Sequence, residues 1–261
     1  MKPYDWYIQS ANSADVDTPE IIGEKLLHTL DSLALADPLL RDWTIGSGNA
    51  TLEELEIWME EGGEEPAPIR MVPLAEARDD MTALVQANVQ RDDWGEAQPA
   101  QGYALTVVSG AENKSRSVNL SLNVGSQFND NNWSVRFGAF GEPFDPALVD
   151  LRLMDGLFRT MTSFWPTPWA RLRGSAIEYE DAPGVIGRTT VETVRHDIAW
   201  MGYLSTELAA GFAPPPELIT ERTAGGLLML SSRERPDPSN ADQMRKSDLL
   251  DSIMEEHYPA S

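Results

Sequence analysis

The sequence predicts an α+β fold, with a mainly antiparallel sheet and helices packed on one side of it. The predicted elements run strand, helices, strands, helix, strands, helix, which differs from the regular alternation of a doubly wound sheet. Residues 103–140 contain three strand patterns in succession, separated by polar turns, as in an antiparallel meander. The chain of 261 residues is 41% hydrophobic, which is enough for a sizeable core.

We expect one domain over residues 1–261. A soft division near residue 100 separates an acidic, helical amino-terminal part from a sheet-rich remainder. The sequence leaves open whether the domain consists of two related halves.

The amino-terminal elements are a strand and a helix. Alternating apolar residues predict a strand over Tyr4–Ala11. In the helix that follows, Asp17 is placed to accept hydrogen bonds from the first backbone amides, and Glu20 occupies the capping-box position. Pro38 ends or kinks this helix. The apolar residues at helical spacing are Ile22, Leu26, Leu30 and Leu33.

A cluster of glutamates is the most unusual feature of the chain. Thr51 and Glu54 form a second capping box, which predicts a short helix that ends near Gly62. No lysine or arginine lies between Arg41 and Arg70 to offset the acids. Like charges four residues apart cost an isolated helix a few tenths of a kcal/mol, so we expect the cluster to serve binding. Its members are Glu53, Glu54, Glu56, Glu60, Glu61, Glu64 and Glu65.

The remaining elements follow from periodicity and from turn residues. Before residue 170 we expect helices over Leu74–Val89 and from Asp145 to Trp165, a loop over Asp92–Gln101, and strands over Tyr103–Ser109, Ser117–Val124 and Trp133–Phe140. After it we expect strands over Ser175–Tyr179, Ala199–Ser205, Ile219–Arg222 and Leu227–Ser232, a loop over Ala182–Gly187, and a last helix capped by Asn240 that runs through Glu256.

The net charge of −22 limits the kinds of molecule that the protein can bind. Residues 1–100 contain 21 acidic and 6 basic side chains, against 21 and 14 in residues 101–261. Such a surface repels nucleic acid phosphates and anionic lipids, and it accelerates the encounter with a basic protein. A protein adapted to high salt is an alternative, but that adaptation distributes acid evenly. We therefore expect a protein partner, and neither nucleic acid nor membrane.

Several classes of protein are excluded by composition. The chain has no cysteine, so disulfides, thiolate metal sites and cysteine nucleophiles are impossible. The start of the sequence lacks the apolar core of a signal peptide, and charges interrupt its most apolar helical stretch. These features predict a cytoplasmic protein without a membrane span.

Catalytic signatures are missing from the sequence. It has no phosphate-binding loop, no paired histidines with an intervening glutamate and no serine in a nucleophile elbow. The alternative to a binding protein is a metal-dependent hydrolase, because imidazole and carboxylate groups on neighbouring strands suit metal binding and acid–base chemistry. Its candidate residues are Glu178, Glu180, His196 and Asp197. We expect no enzyme activity and no cofactor.

Trp94 differs in context from the other tryptophans. Trp6, Trp133 and Trp165 fall in apolar patterns that are typical of a core. Trp94 instead lies in a polar loop beside Asp92 and other acids, and an exposed aromatic residue in such a setting is typical of a protein-binding hot spot.

Short motifs spread over most of the chain resemble the immunity protein 52 family of bacterial polymorphic toxin systems. They are Asp37-Pro38-Leu39-Leu40 followed by Trp43, Arg91-Asp92-Asp93, Trp200 to Ser205, Gly225 to Leu228, and the helix start at Asp237 to Asn240. The resemblance implies a protein without an active site that binds and neutralises a cognate toxin. Such toxins often carry a restriction-endonuclease-like domain and are delivered by contact-dependent or type VI secretion.

The leading hypothesis combines the resemblance with the charge. A nuclease presents cations to DNA phosphate, so an acidic partner can cover that basic surface. The residues expected to contact the toxin are Glu53, Glu54, Glu56, Glu60, Glu61, Glu64, Glu65, Asp92, Asp93 and Trp94.

Overall fold

One sheet organises the molecule, and strands from both sides of residue 100 belong to it. A computed structural model describes residues 5–13, 15–48, 71–92, 94–110, 114–128, 130–138, 145, 148–181 and 190–259. At Asp5, at Lys114 and over residues 175–181 and 190–196 it describes the backbone alone. The predicted helix at Thr51, the seven glutamates of the cluster, Asp93 and the loop over Ala182–Gly187 lie outside the described residues.

Within the described residues the sheet has ten strands, and every neighbouring pair is antiparallel. The strands are β1 (Asp5–Ser10), β2 (Trp43–Gly46), β3 (Met71–Pro73), β4 (Tyr103–Ser109), β5 (Val118–Val124), β6 (Asn132–Phe137), β7 (Trp169–Asp181), β8 (Thr190–Ser205), β9 (Ile219–Arg222) and β10 (Gly226–Leu230). Their order across the sheet is β3-β2-β4-β5-β6-β1-β7-β8-β10-β9.

The predicted meander is confirmed as strands β4, β5 and β6. The register between β4 and β5 runs from Tyr103 opposite Val124 to Ser109 opposite Val118. Along β5 the apolar residues are buried, and the polar residues between them are exposed or half-buried. This alternation fixes the register, because a slip of one residue would turn every apolar side chain toward water.

The helices are α1 (Pro19–Ala36), α2 (Leu74–Ala77), α3 (Met81–Ala87), α4 (Leu151–Phe164) and α5 (Ala241–Glu256). The α+β class with an antiparallel sheet is confirmed. Helices α1, α3 and α4 pack together on one face of the sheet and share its main core. Helix α5 is the exception to packing on one side, because it covers the opposite face over β7, β8 and β10.

A glycine sets the distance between α5 and the sheet. A Cβ atom on Gly202 of β8 would lie 2.4 Å from the Met254 sulfur, which is well inside van der Waals contact. Any larger residue at this position would require the side chains of Met254 and Leu250 to move. The contact joins α5 to a second core cluster that contains Trp169, Leu204 and Met229.

The start of α1 differs from the prediction in the role of Asp17. Its carboxylate accepts a hydrogen bond from Lys25 Nζ at 2.5 Å, and Thr18 is the N-cap residue. Pro19 begins the helix and has no amide hydrogen to satisfy. The Glu20 side chain forms a hydrogen bond with the side chain of Thr18, and this bond holds the pKa of Glu20 below its ordinary value of 4.5. Pro38 ends the helix, as predicted, and opens a 3-10 turn.

Two helix boundaries were predicted wrongly. Helix α4 begins at Leu151 and not at Asp145, because the Asp150 carboxylate caps it by accepting from the Leu153 amide at 2.9 Å. The helix predicted over Leu74–Val89 is interrupted by a 3-10 turn at Arg78–Asp80. At this turn Arg78 forms a bidentate pair with Asp31 of α1.

The hairpin of β7 and β8 is much longer than the two short strands predicted for it. The register between them runs from Trp169 opposite Leu204 to Asp181 opposite Thr190, with irregularities after Leu172 and after Glu178. The start of β7 escaped the sequence analysis because arginines interrupt its apolar pattern. Arg171 is nevertheless buried, and its guanidinium pairs with Asp251 at 2.9 Å and with Glu255 at 2.5 Å on helix α5.

Candidate functional site

The candidate site lies at one end of the sheet, which we call the loop end. Because neighbouring strands are antiparallel, connections far apart in sequence meet there. Strand β4 begins at this end and β5 returns to it, while β1 ends here beside the start of β7. Among the described residues, the loop end is formed by residues 11–13, 15–18, 88–92, 94–102, 125–128, 130–131, 165–168 and 223–225, and by the start of the 206–218 connection, which runs on to β9 at the opposite end of the sheet.

A tight turn presents Trp94 at the loop end. The Gly95 amide donates to the Asp92 carbonyl at 2.9 Å, and the Asp92 amide donates to the Glu96 carbonyl at 3.0 Å. Gly95 has a φ of 80°, a left-handed conformation that glycine adopts without steric cost. Trp94 is 86% exposed at the tip of this turn.

The Asp92 carboxylate braces the same turn. One oxygen accepts from the amides of Trp94 at 3.1 Å and Glu96 at 2.9 Å, and the other accepts from Gln98 Nε2 at 2.8 Å. Arg91 adds a hydrogen bond from Nη1 to the Gly95 carbonyl at 2.7 Å. Asp92, predicted as a contact residue, therefore positions Trp94, and among the described residues of this turn Glu96 is the acid that remains for a partner.

Trp94 is unlike the other tryptophans that the structure describes. Trp6, Trp133 and Trp165 are core residues, as predicted. All six of the others are less than 5% exposed, and five donate their indole N–H to a protein acceptor. The Trp94 indole has no hydrogen-bond partner among the described residues. An exposed, rigidly held tryptophan of this kind has the properties of a binding anchor.

A second exposed aromatic residue, Phe128, lies in a loop that contacts the loop of Trp94, which covers residues 88–102. The sequence analysis did not predict it. It is 66% exposed in the turn between β5 and β6. Asn131 holds this turn by accepting from the Ser126 amide at 2.7 Å and donating to the Ser13 carbonyl at 3.0 Å. The Gln127 amide donates to the Ala100 carbonyl at 2.9 Å, which joins the two loops. The sequence signal for its exposure is its position directly before the polar residues 129–132, which predict a turn.

An open cleft of about 830 Å³ forms the other side of the loop end. It lies between segment 11–18, the end of α4, and the turns after β8 and β9. Hydroxyl groups and two acidic residues line much of it, and no lysine or arginine is among its lining residues. Its lining residues include Ser13, Asp15, Thr162, Tyr203, Glu207 and Thr223.

The loop end is acidic over most of its length. Two of its cations are already engaged, since Arg91 donates to the Gly95 carbonyl and Lys25 pairs with Asp17. Arg222 is an exposed cation at the far edge, where β9 ends. The exposed acidic residues along this end are Asp15, Glu96, Asp130 and Glu207.

The residues proposed for a hydrolase lie on β7 and β8. The register places Ala176 opposite His196 and Ser175 opposite Asp197. The Asp197 carboxylate accepts from Arg173 Nη1 at 3.2 Å, and the Arg173 guanidinium also contacts the hydroxyl of Tyr7. The side chains of Glu178, Glu180 and His196 are not among those described. Among the side chains that are, no three acidic or histidine residues form a group that could hold a metal ion.

Comparison with known proteins gives no assignment, because no family model and no curated protein matches the sequence. In the part of the chain that the structure describes, no helix combines the length and the apolar character needed to cross a bilayer.

Proposed function

We propose that this chain is an immunity protein that binds a basic bacterial toxin, in the first place a nuclease, and blocks its substrate-binding surface. The proposal places the interface at the loop end and the encounter in the cytoplasm. It assigns the protein no catalytic role and no cofactor. The motifs that resemble the immunity protein 52 family support the same function.

The observation that carries the proposal is the exposure of Trp94 on a braced turn. A tryptophan that is 86% exposed places a large apolar surface in water. Its turn is fixed by backbone amides that donate to the Asp92 carboxylate and by Arg91, which donates to the Gly95 carbonyl, so little conformational entropy remains to be lost on binding. Tryptophan is also among the residues most enriched in binding hot spots.

Charge supports a basic partner. The chain has a net charge of −22, and the exposed acids of the loop end include Glu96 and Asp130 beside the two aromatic residues. A nuclease must present cations to DNA phosphate, so the two surfaces attract each other over distance. The attraction raises the association rate and favours this partner over acidic ones.

The size of the loop end suits a stable complex. Six strand spacings separate β4 from β10, which is about 29 Å at roughly 4.8 Å per spacing. A standard interface buries on the order of 800 Å² per partner. A patch of about 29 Å by 29 Å would cover that area, so the width of the loop end is sufficient for a standard interface.

The test requires the toxin, which we expect in the neighbouring reading frame as a large secreted protein that ends in a nuclease domain. The purified toxin domain should bind the protein, and co-expression should rescue bacterial growth. Trp94→Ala should raise the Kd about 30-fold, which corresponds to a hot-spot loss of about 2 kcal/mol. Association should slow as ionic strength rises.

Leu35→Ala is the matched control, because Leu35 is 88% exposed near the carboxyl end of α1, away from the loop end. It should leave the Kd unchanged. Equal binding by the two variants would remove Trp94 from the interface. Growth that is no better with the protein than without it would overturn the proposed function.

A further inference from the structure

Three of the hydroxyl groups that line the cleft at the loop end already donate to backbone carbonyls and therefore present acceptors to the cleft. The Tyr203 hydroxyl donates to the Gly225 carbonyl at 2.7 Å, and the Thr162 hydroxyl donates to the Phe158 carbonyl at 2.9 Å. The Thr223 hydroxyl donates to the Gly226 carbonyl at 3.2 Å. Each hydroxyl has one hydrogen, so what these groups offer a ligand is oxygen lone pairs.

Two carboxylates add negative charge to these acceptors. Asp15 and Glu207 both line the cleft and are both exposed. Neither carboxylate takes part in a hydrogen bond or an ion pair with another residue that the structure describes. No lysine or arginine lines the cleft, and Lys25, which lines a small neighbouring cavity with Asp15, pairs with Asp17, so both charges are available to a ligand.

We infer that the cleft receives an arginine side chain on an extended segment of the basic partner. A guanidinium group carries five N–H donors and no acceptor, which is the complement of walls that offer acceptors and carboxylates. A compact ammonium group has three donors and matches such a wall less well. The volume of about 830 Å³ is large enough for the side chain and the backbone on either side of it.

The cleft and the Trp94 turn belong to one continuous surface. Asn131 joins the Phe128 turn to Ser13, and Ser13 lines the cleft. The inference rests on the proposed function in one respect, namely that the segment belongs to the toxin. It adds a second anchor at which charge and hydrogen bonding select the partner, apart from the apolar anchor at Trp94.

The cleft can be tested without the toxin. A peptide of eight residues, with two arginines and otherwise uncharged residues, is titrated into the ¹⁵N-labelled protein, and the shifts of the amide signals are followed by NMR. Two further peptides, in which both arginines are replaced by lysine or by glutamate, serve as comparisons. The arginine peptide should give saturable shifts centred on the amides of Ser13, Ser205, Glu207 and Thr223. The lysine version should bind several-fold more weakly, and the glutamate version should not bind.

Variants of equal charge locate the site. Asp15→Asn combined with Glu207→Gln should raise the peptide Kd at least fivefold. Glu24→Gln combined with Glu76→Gln changes the net charge equally at exposed positions on α1 and α2, and should leave the Kd within twofold of the wild type. Equal losses in the two double variants, or shifts spread evenly over acidic residues, would overturn the cleft assignment.

The two proposals fail in different ways. If the peptide does not bind the cleft while Trp94→Ala still weakens toxin binding, the arginine site is wrong and the immunity function stands. If the peptide binds the cleft but no neighbouring toxin is bound or neutralised, the arginine site stands as a property of the protein and the immunity function is wrong.

Discussion

Trp169 and Trp94 show the same residue type in opposite settings. Trp169 is fully buried beneath α5, where its indole N–H donates to the Met254 carbonyl at 2.8 Å. The Tyr258 ring lies edge-on to the Trp169 ring, with 5.0 Å between the ring centres. The Arg171 guanidinium lies 5.2 Å from the centre of the Trp169 ring. Trp94 is 86% exposed, and the hydrogen bonds around it hold its backbone and leave the ring in water.

The difference separates stability from recognition in this molecule. Around Trp169 the hydrogen bonds, the buried guanidinium and the ring contacts all join α5 to the sheet, so they contribute to the free energy of unfolding. Around Trp94 the hydrogen bonds fix a turn that carries no core residue. Substitutions in the two regions should therefore affect different measurements.

The largest effect is expected from Trp169→Ala. The substitution removes a fully buried indole and leaves a cavity, so we expect the free energy of unfolding to fall by about 3–5 kcal/mol. Trp94→Ala should change it by less than about 0.5 kcal/mol, because the ring is in solvent. Urea unfolding with a fixed m value measures both. Similar losses for the two variants would contradict the separation.

An intermediate effect is expected from Asp92→Ala, which removes the carboxylate that accepts three hydrogen bonds within the Trp94 loop. The turn should loosen, and the ¹⁵N order parameter of Trp94 should fall from about 0.85 toward 0.6. Toxin binding should weaken about five- to tenfold, less than for Trp94→Ala, because the ring is kept and only its preorganisation is lost.

Asp92→Asn provides the control for the brace. It keeps one side-chain acceptor, so its order parameter should lie between those of the wild type and Asp92→Ala. An unchanged order parameter in Asp92→Ala would show that the backbone hydrogen bonds suffice to hold the turn.

The smallest effect concerns the Asp31–Arg78 pair on the helical face. The hydrogen bonds from Arg78 hold the pKa of Asp31 below its ordinary value of 3.8. Both side chains of the pair are about half exposed, so we expect it to contribute about 0.2–1 kcal/mol to the free energy of unfolding. A lowered folded-state pKa means that this contribution is fully present at neutral pH and disappears as the pH falls below 3.8 through the folded value.

Comparison of the wild type with Asp31→Asn across pH measures this contribution. The difference in the free energy of unfolding should be constant from pH 7 to about 5 and should shrink at lower pH. Arg78→Ala should abolish the same pH-dependent part. A difference that stays constant to pH 3 would show that the pair does not stabilise the fold.

Local patterns predicted much of this structure. The strands of the meander, the hairpin at Gly225, the end of α1 at Pro38 and the cap of α5 at Asn240 were all evident in the sequence. Each depends on neighbouring residues, because side-chain alternation, turn geometry and capping act over a few positions. The exposure of Trp94 was predictable for the same reason, since its neighbours are polar.

The long hairpin, the role of Asp92 and the cleft required the tertiary structure. Arg171 is buried in β7 because Asp251 and Glu255 of α5, some eighty residues later, compensate its charge. The cleft is formed by four separate stretches of the chain, and no local pattern indicates that they lie together.

The sequence by itself determined the class of fold, the acidic charge and the exposed tryptophan, because these depend on composition and on short-range periodicity. Only the tertiary structure decided which loops meet at one end of the sheet and which polar groups there remain free to bind. Those properties depend on the pairing of distant strands, since antiparallel pairing brings connections from across the chain to the same edge.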